Sequence, residues 1–273
     1  DNGKGMQKRE LLDSMKIGSS DPGVTRSASD LGRFGMGMKT ASFSLGKQLL
    51  VITKQKDEIN NAEWNLEYVE NEDKWEILIH SDEKIDTYIK SKTDKIEFQN
   101  WDEGTLISLS MLDKLIDENN MQKSKVKFYK TVEKVKKHLA MIFHRFIEED
   151  NLQIYVNKNL LEAWNPFIRQ NPATMELACE ELFDGKTIVS IEPYILPHKT
   201  KFEDEEAFKK AGGAKDWLAH QGFYVYRNRR LIVYGTWFGK FKKEPAYNLA
   251  RIKLDMSSES DFEWGIDISL LFL

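Results

Sequence analysis

The longest regular pattern of hydrophobic and polar positions runs through residues 125–150. Its apolar residues recur at alternating steps of four and three, which places them on one face of an α-helix: Phe128, Val132, Val135, Leu139, Ile142 and Phe146. Another face carries lysines at similar steps: Lys123, Lys127, Lys130, Lys134 and Lys137. The pattern predicts a packed amphipathic helix whose lysine face is either solvated or in contact with phosphates or acidic protein.

Shorter apolar segments before this helix have the composition of β-strands. They cover residues 48–53, 64–69, 75–79 and 106–109, and the second and third alternate apolar with polar positions. The acidic residues 70–73 stand between those two segments and predict a hairpin turn. We therefore expect an antiparallel sheet in the first half of the chain.

The pattern changes after residue 150, where we place a domain boundary between residues 1–150 and 151–273. Strands are predicted at residues 152–156, 187–195, 223–226, 231–234, 250–256 and 266–269, short helices at 205–210 and 214–220, and turns at 157–159 and 227–230. Segregated helices and antiparallel strands of this kind are typical of the α+β class.

Two glycine clusters carry the clearest chemical signal. In the first, residues 1–6, a carboxylate precedes Gly-x-Gly, and glycine lets the backbone approach a flat ring closely because it has no Cβ. The second, residues 32–39, opens a predicted helix whose first amides and positive dipole end suit a polyphosphate. Together the clusters predict a nucleotide site in which Asp1 binds the base and Gly35 and Gly37 bind the phosphates.

Other phosphate-binding motifs do not fit the second cluster. A Walker A loop needs Lys and Ser/Thr directly after its glycine, whereas Gly37 is followed by Met38 and then Lys39. A dinucleotide fingerprint needs Gly-x-Gly-x-x-Gly after a strand, and Gly32-x-x-Gly35-x-Gly37 has the reverse spacing. The remaining alternative is that the glycines only make turns.

A polar connection, residues 13–31, lies between the two clusters. It is rich in Ser, Gly and Asp, and residues 21–23 are a turn signal. Long polar connections inside compact domains are often functional, so we expect a lid over the nucleotide; a plain surface loop is the alternative.

The stretches DNGKGM, LGRFGMGMKTASFSLGKQLLVITK and EGTLISL resemble the three nucleotide boxes of the GHKL ATPases, the superfamily of gyrase, the heat-shock chaperone, histidine kinases and MutL. The MORC-like branch is the most similar, because its glycine box is also followed by Leu-Gly-Lys and a strand that ends in Thr-Lys. The resemblance implies a Bergerat-type α/β sandwich followed by an α/β transducer-like domain of the S5-like type.

The resemblance also implies roles for particular residues. The nucleotide-binding set is Asp1, Gly3, Gly5, Met6, Gly32, Arg33, Phe34, Gly35, Met36, Gly37, Met38, Lys39 and Thr105. Thr105 would lie near the base, and Lys39 would contact phosphate or point to solvent. Lys242, after the second-domain hairpin, is the candidate catalytic lysine that reaches the γ-phosphate; a solvated basic loop is the alternative.

ATP and Mg²⁺ are the implied cofactors. In the family, a preceding helix carries the Glu that activates water and the Asn that binds magnesium. Because the sequence begins at Asp1, we expect ATP binding with little or no hydrolysis, and we assign no metal ligand. ATP would close the lid and favour dimerisation with a second copy, which could clamp DNA. A chaperone-like ATPase acting on protein clients, a histidine kinase and a structural nucleotide-binding scaffold are the alternatives.

Composition limits the partners and the cellular location that we expect for the protein. The formal net charge is −4, so any DNA contact needs a local basic patch. A single cysteine, Cys179, excludes a disulfide framework. No apolar run approaches the roughly 18 residues of a membrane span, and no charged leader precedes an apolar stretch. We expect a cytoplasmic or nuclear protein with no membrane partner.

Overall fold

A computed structural model describes residues 1–18, 31–32, 35–92, 98–150, 152–183 and 187–260. Contacts divide the chain into two compact units, one mainly of residues up to Thr131 and the other mainly of residues from Val132 onward. The change between them falls within a long helix, before residue 150, and the proposed domain boundary at that residue stays a prediction. The strand predicted at residues 266–269 lies outside the described residues.

The first unit combines a three-stranded antiparallel sheet with short helices. Its elements are α1 (Lys8–Met15), α2 (Gly37–Phe43), β1 (Gln48–Gln55), β2 (Glu58–Asn65), α3 (Leu66–Glu72), α4 (Asp82–Lys90) and β3 (Gly104–Ser110), and α5 (Met121–Ile142) begins in it. The strand order is β2-β1-β3. The strands at residues 48–53 and 106–109 and the helix after the second glycine cluster are therefore confirmed.

The two faces of this sheet pack against different helices. Leu49 and Val51 of β1 pack with α1, in a cluster that also holds Leu11 and Met15. The alternate residues of β1, Leu50 and others, pack with Ile85 and Ile89 of α4. We call these the α1 face and the α4 face.

Three predictions for the segment after β2 were wrong. A strand was expected at residues 64–69, but β2 ends at Asn65 and α3 follows it. The Asn65 side chain accepts a hydrogen bond of 3.2 Å from the Tyr68 amide and so caps α3. The hairpin turn expected at residues 70–73 is instead the end of that helix. The strand expected at residues 75–79 makes only one bridge, between Glu63 and Leu78.

The second unit is built on a mixed sheet. Its elements are α6 (His144–Glu149), β4 (Tyr155–Val156), β5 (Asn159–Leu160), β6 (Met175–Glu176), β7 (Glu180–Phe183), β8 (Ile188–Ile195), α7 (Glu205–Ala211), β9 (Gly222–Arg227), β10 (Arg230–Thr236) and β11 (Ala250–Met256). The main strand order is β10-β9-β11-β8-β6, with β7 paired to β8. Aromatic residues dominate the core beneath it, including Phe167, Trp217, Tyr224 and Tyr226. Mixed helices and sheets confirm the α+β class.

Most second-unit elements match their predictions, with three exceptions. Residues 214–220 form turns rather than a helix, and the strand expected at residues 152–156 is reduced to β4. The helix expected at residues 125–150 is interrupted at Phe143, whose φ of −104° and ψ of 13° separate α5 from α6. Phe128 and Val135 of the apolar stripe remain 38% and 46% exposed, so the stripe is only partly packed.

The turn predicted at residues 227–230 is confirmed. Asn228 and Arg229 have φ of 47° and 67°, the positive values that a tight two-residue hairpin of type I′ requires at both positions. This hairpin joins β9 to β10.

Over the part of the chain that the structure describes, the helices are all too short or too polar to cross a membrane.

Candidate functional site

The first glycine cluster is held on the outer edge of β3. The backbone nitrogen of Asp1 donates to the Thr105 carbonyl at 2.8 Å, and the Thr105 amide donates to the Asp1 carbonyl at 2.9 Å. Thr105 in turn lies opposite Thr53 of β1. Directly opposed residues share a face of a sheet, so Asp1, Thr105 and Thr53 all belong to the α1 face.

A buried threonine connects the loop to both strands. The Thr53 hydroxyl accepts a hydrogen bond from the Met6 amide at 2.9 Å and lies 3.2 Å from the Gly104 carbonyl, to which it donates. It also lies 3.3 Å from the Thr105 hydroxyl. Sequence reasoning gave Thr53 no role in the site. The sequence feature that could have indicated this role is a hydroxyl-bearing residue directly after the apolar residues 49–52 of β1, at the end of the strand that contacts the first glycine cluster.

Close backbone approach explains two glycines of the site. Gly5 has φ of 65°, and a Cβ on it would lie 2.0 Å from the Lys54 carbonyl oxygen. A Cβ on Gly104 would lie 2.5 Å from the Asp1 carbonyl oxygen. Real Cβ atoms do not come this close to backbone oxygen, so the loop reaches β1 and β3 only with glycine at both positions.

The end of β1 fixes the neighbouring segments as well. The Lys54 ammonium donates to the Trp101 carbonyl at 2.6 Å, and the Gln55 side-chain amide donates to the Lys4 carbonyl at 3.1 Å. Trp101 itself packs edge-on against Phe98, with ring centroids 6.0 Å apart. One strand end therefore positions both the first glycine cluster and an aromatic turn.

These segments border a cleft of about 270 Å³. Its lining includes Asp1 and Thr105 together with the aromatic side chains of Phe98 and Trp101. The Asp1 carboxylate is exposed, and one of its oxygens accepts a hydrogen bond of 3.0 Å from the Gly3 amide. A carboxylate oriented by its own loop beside apolar walls can accept hydrogen bonds from the amine of a planar base.

The second glycine cluster lies beside the same face. Gly35 has φ of 62°, Met36 precedes the helix, and Gly37 is its first residue. No side chain caps the amino end of α2. Phe43, at its other end, and Met6 pack against the same apolar cluster on the α1 face. The structure thus brings the two clusters to one side of the sheet.

Lys39 lies inside the unit. It is only 3% exposed, and its ammonium donates to the Ser14 carbonyl at the end of α1 at 2.5 Å. Burial lowers the pKa of Lys39. Its alternative orientation toward solvent was therefore wrong, while its contact with phosphate stays a prediction.

The remaining predicted residues are distributed as follows. Gly32 is the first residue of the second cluster, and Met38 lies 37% exposed on α2, whereas Arg33 and Phe34 lie outside the described residues. Residues 19–30 of the expected lid lie outside them too, and the start of that lid, at residue 13, belongs to α1. Lys242 is exposed on the loop after β10 in the second unit, and its catalytic role stays a prediction.

Comparison with known families agrees with this geometry. Residues 1–102 match the family model described as histidine kinase-, DNA gyrase B-, and HSP90-like ATPase. A comparison with curated proteins found no significant match. The matched segment contains both glycine clusters and ends next to β3. The match supports a GHKL-type ATPase domain at residues 1–102 and, with it, ATP binding by this part of the chain.

Proposed function

We propose that the first unit binds ATP with the adenine ring at Asp1 and Thr105. The observation that carries this proposal is the pair of reciprocal hydrogen bonds, 2.8 and 2.9 Å, which hold the Asp1 and Thr105 backbones together on one face of the sheet. In the described residues only one oxygen of the Asp1 carboxylate has a hydrogen bond, the one from Gly3. The other oxygen accepts from the exocyclic amine of adenine, which guanine lacks at that position.

The phosphates bind at the second glycine cluster in this proposal. Gly35 allows the backbone to turn with positive φ, and the amino end of α2 presents amides without a side-chain cap. Uncapped helical amides and the positive end of the helix dipole favour an anion. Phosphate binding at this end is consistent with the packing of Met6 and Phe43 against one apolar cluster on the α1 face.

The described side chains at the phosphate end do not form a ligand set for Mg²⁺. Mg²⁺ takes oxygen ligands. Among the described residues of the candidate site, side-chain oxygens are found only at Asp1, Thr53 and Thr105, all at the base end. The phosphate end offers amides, which are donors. We therefore assign the ion to the phosphates of ATP and derive no step through it.

The finer proposal concerns the MORC-like branch. We infer that ATP closes a lid formed from residues 13–31, favours dimerisation with a second copy and thereby clamps DNA, with the second unit as a transducer-like domain. The Leu-Gly-Lys sequence after α2 supports the assignment, and its glycine is needed locally: a Cβ on Gly46 would lie 2.7 Å from the Ser110 carbonyl oxygen. Sedimentation with and without ATP and duplex DNA tests it; a monomer under all conditions refutes it.

Replacing Asp1 by alanine is expected to weaken ATP binding and to remove the preference for ATP over GTP. A hydrogen bond to a charged group contributes about 1.5–3 kcal/mol, or roughly 10- to 100-fold in affinity. Calorimetric titration of both nucleotides measures this. The matched control is Asp57→Ala, an exposed carboxylate in the turn between β1 and β2 that should leave both affinities unchanged. Equal affinities of the native protein for ATP and GTP would exclude the role of Asp1.

A further inference from the structure

A second cavity, of about 340 Å³, opens on the α4 face of the three-stranded sheet. Its size is at the lower end of the range for small-molecule sites, roughly 300–1,000 Å³. Leu50 and Ile85 supply apolar lining, and the other lining side chains are mostly polar. All of them lie in the first unit.

Strand register brings the polar lining together. Gln48 lies opposite Ser110, while Leu50 lies opposite Glu63 on one side and Ser108 on the other. Opposed residues point to the same side of a sheet, so three strands present their polar side chains to one cavity. Thr53 and Thr105 of the nucleotide site belong to the other face, although both sites take residues from β1 and β3.

A buried carboxylate forms the inner wall, and its charge is already matched by hydrogen-bond donors. Glu63 is 4% exposed. One of its oxygens accepts from the side-chain amides of Gln48 at 2.7 Å and Asn65 at 3.3 Å, and the other lies 2.8 Å from His80 Nε2. A buried carboxylate without such donors would be strongly destabilising. With them, Glu63 organises the wall and has little remaining capacity for a ligand's own donors.

His80 connects Glu63 to Lys84 at the mouth of the cavity. Asn61 fixes the His80 backbone through two hydrogen bonds, of 2.8 and 3.0 Å. The Lys84 ammonium lies 3.0 Å from Nδ1. An ammonium group can only donate, so Nδ1 accepts and the ring proton lies on Nε2, where it donates to Glu63. Lys84 is exposed and lines the cavity.

Several donors of the lining remain for a ligand. Lys84 keeps two N–H groups and the Gln48 amide keeps one, because among the described residues each makes a single hydrogen bond as donor. Tyr88 and Ser108 share one hydrogen bond of 2.6 Å, which leaves one of their two hydroxyl protons for a ligand. The Gln48 carbonyl already accepts from Ser110. A cavity with these donors and an apolar floor is complementary to an anion that accepts hydrogen bonds and carries an apolar body.

We propose that this cavity binds a small organic carboxylate, with the carboxylate at Lys84 and Gln48 and the carbon skeleton against Leu50 and Ile85. The site is independent of the nucleotide site, and its failure would leave the proposed ATP binding untouched. Either site can therefore be tested with the other left native.

The probe for this site is 4-fluorobenzoate, compared with 4-fluorobenzamide as its neutral analogue. We expect ¹⁹F line broadening to give a saturable dissociation constant on the order of 1 mM for the acid, and about tenfold weaker binding for the amide. Lys84→Met should weaken binding of the acid about fivefold, as expected for the loss of an exposed ion pair of about 1 kcal/mol. The control is Lys90→Met, because Lys90 is on the same helix but does not line the cavity.

Three results would overturn the proposal. The first is no saturable broadening of the acid in the native protein, and the second is equal affinity for acid and amide. The third is an equal loss in Lys84→Met and Lys90→Met, which would mean that general surface charge and not the cavity attracts the anion. The comparison of acid with amide needs no variant, so it holds even if a substitution prevents folding.

Discussion

Replacing Gly5 by alanine is expected to displace the first glycine cluster and to abolish measurable ATP binding. The new Cβ would lie 2.0 Å from the Lys54 carbonyl oxygen and 2.8 Å from its carbon, both of which are backbone atoms of β1. Neither the strand nor the loop can move without breaking the hydrogen bond from the Met6 amide to Thr53. Calorimetric titration with ATP measures the binding, and urea unfolding measures stability.

Gly239→Ala is the matched control for this prediction. Gly239 lies in the second unit and has φ of 72°, close to the 65° of Gly5, but a Cβ there would have no atom of the described residues within 4 Å. Its replacement therefore introduces only the left-handed backbone cost, about 1–2 kcal/mol. We expect Gly239→Ala to bind ADP, which lacks the γ-phosphate assigned to Lys242, with native affinity, whereas Gly5→Ala should bind neither nucleotide. If both variants lose affinity equally, backbone strain and not close approach to β1 determines the site.

The stability of the second unit is expected to fall by roughly 3 kcal/mol as the pH is lowered from 7 to 4. Burial, followed by the charge of Arg251, lowers the pKa of His220 from 6.5 to about 4. In this interval the unfolded chain binds a proton at this histidine and the folded chain does not, so the free energy of unfolding decreases as the pH falls. The contribution is complete above pH 6.5 and is lost at about pH 4; each pKa unit corresponds to about 1.4 kcal/mol.

Hydrogen exchange of the β9 amides, converted to free energies of opening, measures this dependence in the second unit. His220 lies beneath that strand, with Nδ1 3.1 Å from the Tyr224 hydroxyl. His220→Gln should flatten the pH dependence between pH 7 and 4. His198→Gln, which replaces an exposed histidine of the same unit, should leave it unchanged. An unaltered slope in His220→Gln would assign the pH dependence to other groups.

Local signals account for what the sequence predicted correctly. The apolar residues Leu254 and Met256 of the strand at residues 250–256 are buried on either side of the less buried Asp255, as the composition suggests. The turn at Asn228 and Arg229 begins with asparagine, a residue type common in tight hairpins. Asp1, Gly3 and Gly5 lie within one short motif, so spacing alone grouped them, and their contact with the nucleotide stays a prediction. In each case the deciding interactions lie between neighbours in the sequence.

Short signals that compete with one another explain several errors. Asn65 is a good helix cap, but the alternating pattern that surrounds it favours a strand. The structure forms α3, whose first turn Asn65 caps and which has no fully buried residue. Helix α1 carries buried Leu11 and Met15 four positions apart, a helical spacing. We assigned the last residues of that helix to the lid because polar residues follow.

Non-local pairing explains what could not be predicted. Thr53 is part of the site only because β1 lies beside β3, and the contact of Glu63 with His80 depends on a segment that returns along β2. Arg251 is fully buried, with its guanidinium 5.7 Å from the Trp217 ring. Nothing local distinguishes it from a surface arginine. Partners distant in sequence determine all three environments.

The order of strands in the second unit has a consequence for the route of folding. The hairpin of β9 and β10 closes through the two-residue turn at Asn228 and Arg229, whereas β11 joins β8 through pairs as distant in sequence as Lys253 and Glu192 and must also lie parallel to β9. Closing a long loop costs more entropy than closing a tight turn. We therefore expect the hairpin to form first and to act as the template on which β11 and then β8 assemble. In pulse-labelled refolding, β9 and β10 amides should gain protection before those of β8, and the reverse order would rule this route out.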